Sequence, residues 1–258
     1  MRLRVVANHE RTIPMAEMSS GRLAALQDHP DECQGNQSAT REGEAPRQLP
    51  RGYVLRQRVN QDHEEIQSLL RRAYPPPHGS ECVWSMAALE QHLQHFPEGQ
   101  FVIQDADAVL RATSTTLRVG RERAFSPHTW MAITGMGTLS THDPAGEILY
   151  GVNIAVDPDC QGRGLAHALY RTRFELGRRL GCSAFAAGAR IPGFHSMAGQ
   201  FSPEEYVARV IGGEIFDPTL SKQLALGFHV VGVLPDYAYD HETLGHAALI
   251  VKNLRGEG

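Results

Sequence analysis

Apolar and polar residues alternate over residues 53–59 (YVLRQRV), the period of two that a strand with one buried face requires. The period then lengthens. Ile66, Leu69, Leu70 and Ala73 share one face of a helix that Asn60 or Asp62 can cap. The Pro75-Pro76-Pro77 run stops it, because proline has no N–H and clashes with the preceding turn. Ser85 is placed to cap a second helix with Ala88, Leu89, Leu93 and Phe96 inward, ended by Pro97 and Gly99. Strands are expected over 101–104 and 109–119, followed by a long connection over 120–146 that contains Trp130. Residues 149–156 (LYGVNIAV) read as a strand, 161–166 as a turn, and the chain then continues as a helix to Leu180, closed by Gly181. That helix carries the stripe Leu165, Ala168, Leu169, Thr172, Leu176 and Leu180. A strand over 183–189, helical pieces over 204–210 and 220–226, and strands over 228–234 and 246–251 complete the pattern. The order β-α-α-β-β-β-α-β-α-β-β predicts an α/β domain, a mixed sheet with helices on both faces.

Residues 27–50 have almost no large apolar side chain and no periodicity. Such a stretch buries too little surface to offset its ordering entropy, so residues 1–50 are expected to form a disordered or loosely attached extension. Translation starting at Met15 or Met18 is the alternative reading. Residues 51–258 then form the folded domain. The extension explains why apolar residues make up only 41% of the chain. A formal charge of −4 offers no basic field for nucleic acid or an anionic membrane. No apolar run reaches the roughly 18 residues of a membrane span, and the N-terminus lacks the apolar stretch of a secretory signal. Cys33, Cys82, Cys160 and Cys182 have no C-x-x-C spacing, which fits reduced thiols in a cytoplasmic protein rather than a zinc site, and no metal is expected.

The chemistry concentrates in Val156-Asp157-Pro158-Asp159-Cys160-Gln161-Gly162-Arg163-Gly164-Leu165-Ala166, between a strand and a helix. Two glycines at a helix N-terminus leave backbone N–H groups pointing outward beside the positive end of the helix dipole, a ready site for a pyrophosphate. A Walker A loop is excluded, since no lysine follows, and a dinucleotide turn fails because His167 stands where a third glycine belongs. Gln161, Gly164 and Ala166 meet the pattern Gln/Arg-x-x-Gly-x-Gly/Ala, and with the flanking strand, the amphipathic helix and Leu226-Gly227-Phe228 the stretch 53–252 resembles the GCN5-related N-acetyltransferase (GNAT) superfamily. The resemblance implies a central, mostly antiparallel sheet splayed between the fourth and fifth strands, with helices on both faces. It implies acetyl-CoA as cosubstrate. Main-chain groups of Ile154, Ala155 and Val156 would meet pantetheine and the acetyl carbonyl. Gln161, Gly162, Arg163, Gly164, Leu165 and Ala166 would hold the pyrophosphate. A narrower resemblance, carried by residues 140–144, 149–151, 188–195, 202–206, 213–218 and 224–228, is to acetyltransferase domains that precede a carbon–nitrogen hydrolase. That hydrolase has no counterpart within these 258 residues, so its activity is not carried over, although association with such an enzyme is compatible with the likeness.

Many superfamily members protonate the departing thiolate from a tyrosine at the place that Gln223 holds here. Glutamine is no acid, which leaves Tyr150, Tyr206, Tyr237 and Tyr239 as candidates, Tyr150 foremost. Glu147, His142 and Asp143 are candidate bases, and Arg190 and His195 either select substrate or anchor their loop. Arg171, Arg173, Arg178 and Arg179 read as the solvated face of their helix. The expected activity is transfer of an acetyl group to an amine of a small molecule or protein, by direct attack in a ternary complex. The alternatives are a coenzyme-A-binding regulatory module and an adaptor built on the long loops. Dimers are common among relatives.

Overall fold

The structure is a computed structural model that describes residues 45–75 and 83–255. The tripeptide ends Pro76 and Pro77, Cys33, Cys82, both alternative starts and residues 1–44 of the expected extension lie outside the described residues.

Eight strands form one sheet: β1 (Arg47–Gln48), β2 (Val54–Gln57), β3 (Gln100–Gln104), β4 (Leu110–Val119), β5 (Ile148–Val156), β6 (Ala184–Arg190), β7 (His229–Leu234) and β8 (Ala247–Asn253). Their order is β1-β2-β3-β4-β5-β6-β8-β7, and every pair is antiparallel except β5–β6. Each face carries its own core. On one face α1 (His63–Ala73) and α2 (Met86–His95) bury Ile66, Leu70 and Leu89 against Val102, Leu117, Tyr150 and Leu249. On the other α5 (Leu165–Arg179), α6 (Pro203–Ile211) and α7 (Leu220–Ala225) bury Leu169, Phe174, Tyr206, Val210 and Leu220 against Leu149, Phe185 and Ile250. Ser85 caps α2 by accepting from the Ala88 N–H at 3.1 Å. Asp62 sits at the start of α1 but turns its carboxylate back to the Val59 N–H and the Arg56 guanidinium.

Two elements depart from the pattern. Arg47–Gln48 adds an edge strand inside the stretch assigned to the extension, and two residues are too few to show a period. The connection over 120–146 contains α3 (Arg121–Phe125), α4 (Trp130–Thr134) and a wide turn, Gly135–Leu139. Thr129 caps α4 through the Ala132 N–H, and Gly135 ends it with φ +61°.

The extra strand makes β5 and β6 the fourth and fifth strands of the sequence reading. They pair only from Ile148↔Ala184 to Gly151↔Ala187. At that level β5 carries an extra residue, Val152, opposite β4, where the register passes from Asn153↔Thr115 to Gly151↔Thr116. A bulge bends its strand. Beyond it β5 stays on β4 as far as Val156 and β6 stays on β8 as far as Arg190, so the two part and a gap opens through the sheet.

Candidate active site

The end of β5 is locked before the loop begins. Asp157, 1% exposed, receives Arg72 from α1 at 3.0 Å, Arg111 from β4 at 3.2 Å and the Asp159 N–H at 3.1 Å. Burial alone would raise its pKa, but the Asp159 N–H and the two guanidinium groups outweigh it and hold the carboxylate below its usual range. After the turn Pro158–Cys160, Gly162 and Gly164 adopt φ +73° and +83°, conformations that other residues rarely take. A β-carbon at either would meet nothing within 4 Å, so the space above the loop is open. Gly164 starts α5 without any side-chain cap, and the first N–H groups of a helix have no intrahelical acceptor. Arg163 is folded back onto the Tyr53 hydroxyl and the Asp159 carbonyl, both at 2.9 Å. Arg47, Arg163, His167 and Arg171 border a hollow of about 420 Å³ beside this helix end. The donor set, the dipole and the basic rim fit a pyrophosphate.

The gap between β5 and β6 is a cleft of about 630 Å³, walled by Tyr74, Trp84, Trp130, Met136 and Tyr237 on one side and by Tyr170, Arg173, Phe185 and Gln223 on the other. The Val152 carbonyl accepts from the Trp130 ring N–H at 3.2 Å, and the Ile154 carbonyl from the Tyr74 hydroxyl at 3.3 Å. Main-chain direction alternates along a strand, so Ile154 and Val156 turn their backbone groups to the cleft and Ala155 turns its own to β4. The Asp157 N–H, bonded to the Arg111 carbonyl, confirms that phase. Ala155 is therefore corrected: it supports the strand pairing rather than the cleft.

A directed chain of hydroxyls leaves the cleft. The Ser126 carbonyl can only accept, so His128 Nδ1, 2.7 Å away, carries the proton and Nε2 is an acceptor. Tyr150 donates to Nε2 at 2.8 Å, and Tyr237, on the cleft wall, donates to Tyr150 at 3.1 Å. Burial raises Tyr150 well above its ordinary pKa and Tyr237 to about 12, and lowers His128, so all three are neutral. On the opposite wall Gln223 Nε2 donates to the Tyr170 hydroxyl at 2.9 Å, which leaves the tyrosine its own proton to give.

The Acetyltransferase (GNAT) family matches residues 63–198, more than half of the chain. The chain belongs to this family. It is 32% identical over 197 residues to "Uncharacterized N-acetyltransferase YkwB" of Bacillus subtilis (strain 168), covering 76% of this chain and 87% of that protein. It is 34% identical over 187 residues to "Probable hydrolase YhcX" of the same organism, covering 72% of this chain but only 36% of that one. Among solved structures, "GphF GNAT-like decarboxylase in complex with isobutyryl-CoA" superposes with a TM-score of 0.65 at 20% identity, over 78% of this chain and 99% of that one. The loading GNATL domain of CurA from Lyngbya majuscula superposes with a TM-score of 0.62 at 15% identity, over 79% and 98%. Both share the GNAT fold.

Within this GNAT frame several sequence-based site residues lie elsewhere. Glu147 and His142 precede β5 at its closed end, and Glu147 is about 30 Å from the open end at the rise of a strand. Glu147 is half exposed beside Arg121, and His142 accepts the Arg118 N–H and stacks on Phe96 at 4.4 Å. Asp143 caps its own turn at the Ala145 N–H. All three are loop structure, not bases of the cleft. Arg190 reaches the cleft wall, but Asp240 and Glu242 hold its charge. His195 is exposed, 4.3 Å from the His241 ring, and its main chain anchors to the Glu242 carbonyl. Tyr206 is bound to Asp217 beneath its loop, and Tyr239 is an exposed rim residue. Of the candidate catalysts, Tyr237 lies on the cleft wall and Tyr150 is joined to it by a hydrogen bond. Arg171, Arg178 and Arg179 are exposed as expected, whereas Arg173 is buried. Tyr170 and His128 carried no signal in the sequence, because a tyrosine on an apolar helix face and a lone histidine in a loop both read as ordinary.

Proposed function

We infer that this GNAT protein is an acyl-CoA-dependent N-acyltransferase, with acetyl-CoA as the simplest donor and an amine of a small molecule or protein as acceptor. The observation that carries this reading is the open Gly162–Gly164 loop at the head of α5, which leads into the splay of β5 and β6. Coenzyme A lies with its pyrophosphate on the N–H groups of residues 162–166 and its pantetheine along the cleft-facing groups of Ile154 and Val156. The acceptor enters from the side of Tyr74, Trp84 and Tyr237. Its ammonium gives a proton to the Tyr237 oxygen as Tyr237 passes its own to Tyr150 and Tyr150 passes its own to His128 Nε2, which becomes imidazolium. The neutral amine attacks the thioester carbon. A cleft-facing N–H of β5 holds the oxyanion, and the C–S bond breaks on collapse. The thiolate takes the Tyr170 proton, the hydroxyl being fixed by Gln223, and the excess proton that leaves the nitrogen as the amide forms restores the Tyr170 hydroxyl through solvent. The likeness to YhcX, named a probable hydrolase, supports association with a carbon–nitrogen hydrolase.

Calorimetric titration of the wild type with acetyl-CoA and with coenzyme A tests the loop. Gly164→Glu should abolish binding by filling the phosphate site with a like charge. Gly164→Ala, which imposes the same backbone strain without the charge, should retain it within about tenfold. Wild-type affinity in Gly164→Glu would refute the assignment. Amine-dependent release of free thiol separates an enzyme from a coenzyme-A-binding regulatory module.

A further inference from the structure

A buried cation stands at the closed end of the cleft. Arg173 on α5 is 1% exposed and lines the cavity. Its guanidinium carbon lies 4.4 Å from the centre of the Tyr170 ring and 5.1 Å from that of Phe185. Phe185 in turn covers Gly151, where a β-carbon would come within 2.7 Å of the ring. Gly151↔Ala187 is the last pair before β5 and β6 part, so Arg173 sits behind the vertex of the splay.

Among the described residues this arginine is only partly satisfied. Its Nε reaches the Leu169 carbonyl at a long 3.4 Å, and its Nη2 has no acceptor. Burial lowers its pKa while the Tyr170 side chain, by its charge and a hydrogen bond, raises it, and among the described residues no carboxylate pairs with it. The other arginines of the site differ: Arg72 and Arg111 meet Asp157, and Arg190 meets Asp240 and Glu242. Aromatic faces offset part of the cost of burying a guanidinium but satisfy none of its in-plane N–H donors. A buried charge without a partner is expensive to keep, and a partner that arrives with the ligand removes that expense.

The position indicates which part of a ligand that is. A thioester seated with its carbonyl against β5 near Val152 directs its acyl substituent toward the vertex, where Tyr170, Phe185 and Arg173 converge. We propose that the acyl group carries a carboxylate held by Arg173, so that the chain takes the coenzyme A thioester of a dicarboxylic acid in preference to acetyl-CoA. This rests on the reading of the cleft as an acyl-CoA site and narrows its donor.

The test is calorimetric titration of the whole chain with acetyl-CoA, malonyl-CoA and succinyl-CoA, in the wild type, Arg173→Met and Arg173→Lys. The wild type should bind one of the carboxylated thioesters at least about tenfold tighter than acetyl-CoA. Arg173→Met should bring that ratio to about one, with the melting temperature unchanged or raised, since a buried and only partly paired charge is being removed. Arg173→Lys, which retains the charge without the planar fork, should keep part of the preference. Equal wild-type affinity for all three thioesters overturns the proposal and leaves the acyltransferase reading intact. An equal loss for all three in Arg173→Met also overturns it, by assigning Arg173 to pantetheine. Failure of every thioester to bind the folded wild type overturns the acyl-CoA reading itself.

Discussion

Single hydroxyl groups carry most of the chemistry argued for this protein, and each can be removed without removing its ring. Tyr237→Phe keeps the packing over Gly188 but takes away the group that passes a proton on to Tyr150. Acyl transfer at neutral pH should fall about 10²-fold with acetyl-CoA affinity unchanged, as steady-state rates beside calorimetry will show. His128 should set the acid limb of the pH–rate profile. Burial lowers its pKa below 6.5 against the raising effect of the Ser126 carbonyl, so it stays neutral and able to accept until the pH drops below that value. His128→Gln should lose that limb together with most of the rate. The sequence left Tyr237 unranked and His128 unnamed. Tyr237 was one of four candidate tyrosines, and nothing in residues 120–146 distinguished His128 from a surface histidine, because their 2.8 and 3.1 Å links to Tyr150 join residues far apart in the chain.

Among the elements, β5 bears the site and Asp157 fixes its end. Asp157→Asn would leave Arg72 and Arg111 without their carboxylate and should destabilise the fold by about 3 kcal/mol, read as a lower urea midpoint at constant slope. Acetyl-CoA affinity should weaken as well, since the loop starts from this residue. The loop, the strand before it and the helix after it were all visible in the sequence, because glycine spacing and apolar periods are local properties. The helix was still misjudged at Arg173. Its stripe marked the buried face correctly at Leu165, Leu169, Thr172 and Leu176, but a charged residue was assigned to water by type, and the rings of Tyr170 and Phe185 cover it. The connection over 120–146 hid α3 and α4 for a different reason, since five-residue helices are too short for a period to emerge.

Across the whole molecule, stability should depend on two neutral histidines, His92 buried and His142 half-buried. Burial, with Arg58 adding to it, lowers His92 to about 3, and burial with Arg118 lowers His142 to about 4. Both values lie below the ordinary 6.5, so between them the unfolded chain binds more protons than the folded one. Their contribution is therefore complete above pH 6.5 and is lost as the pH falls toward 4 and then 3. The melting temperature should fall over that range, and fall less in His142→Asn, whose amide oxygen can still accept the Arg118 N–H. An unchanged slope in that variant would show that the carboxylates alone set the acid sensitivity.

The amino-acid sequence by itself determined the family, the order of the longer strands and helices and the place of the glycine loop between β5 and α5, since each rests on spacings within a few turns of chain. It also placed the splay between the two correct strands. Only the tertiary structure decided which side chains meet in the cleft. It moved Glu147 and His142 to the closed end of β5, turned the Ala155 backbone to β4, joined Tyr237, Tyr150 and His128, set Tyr170 on Gln223 and buried Arg173 without a carboxylate. The physical reason is that side-chain chemistry depends on direction and distance across strands. A one-residue bulge at Val152, with no signature in composition or period, resets both for everything that follows it on β5.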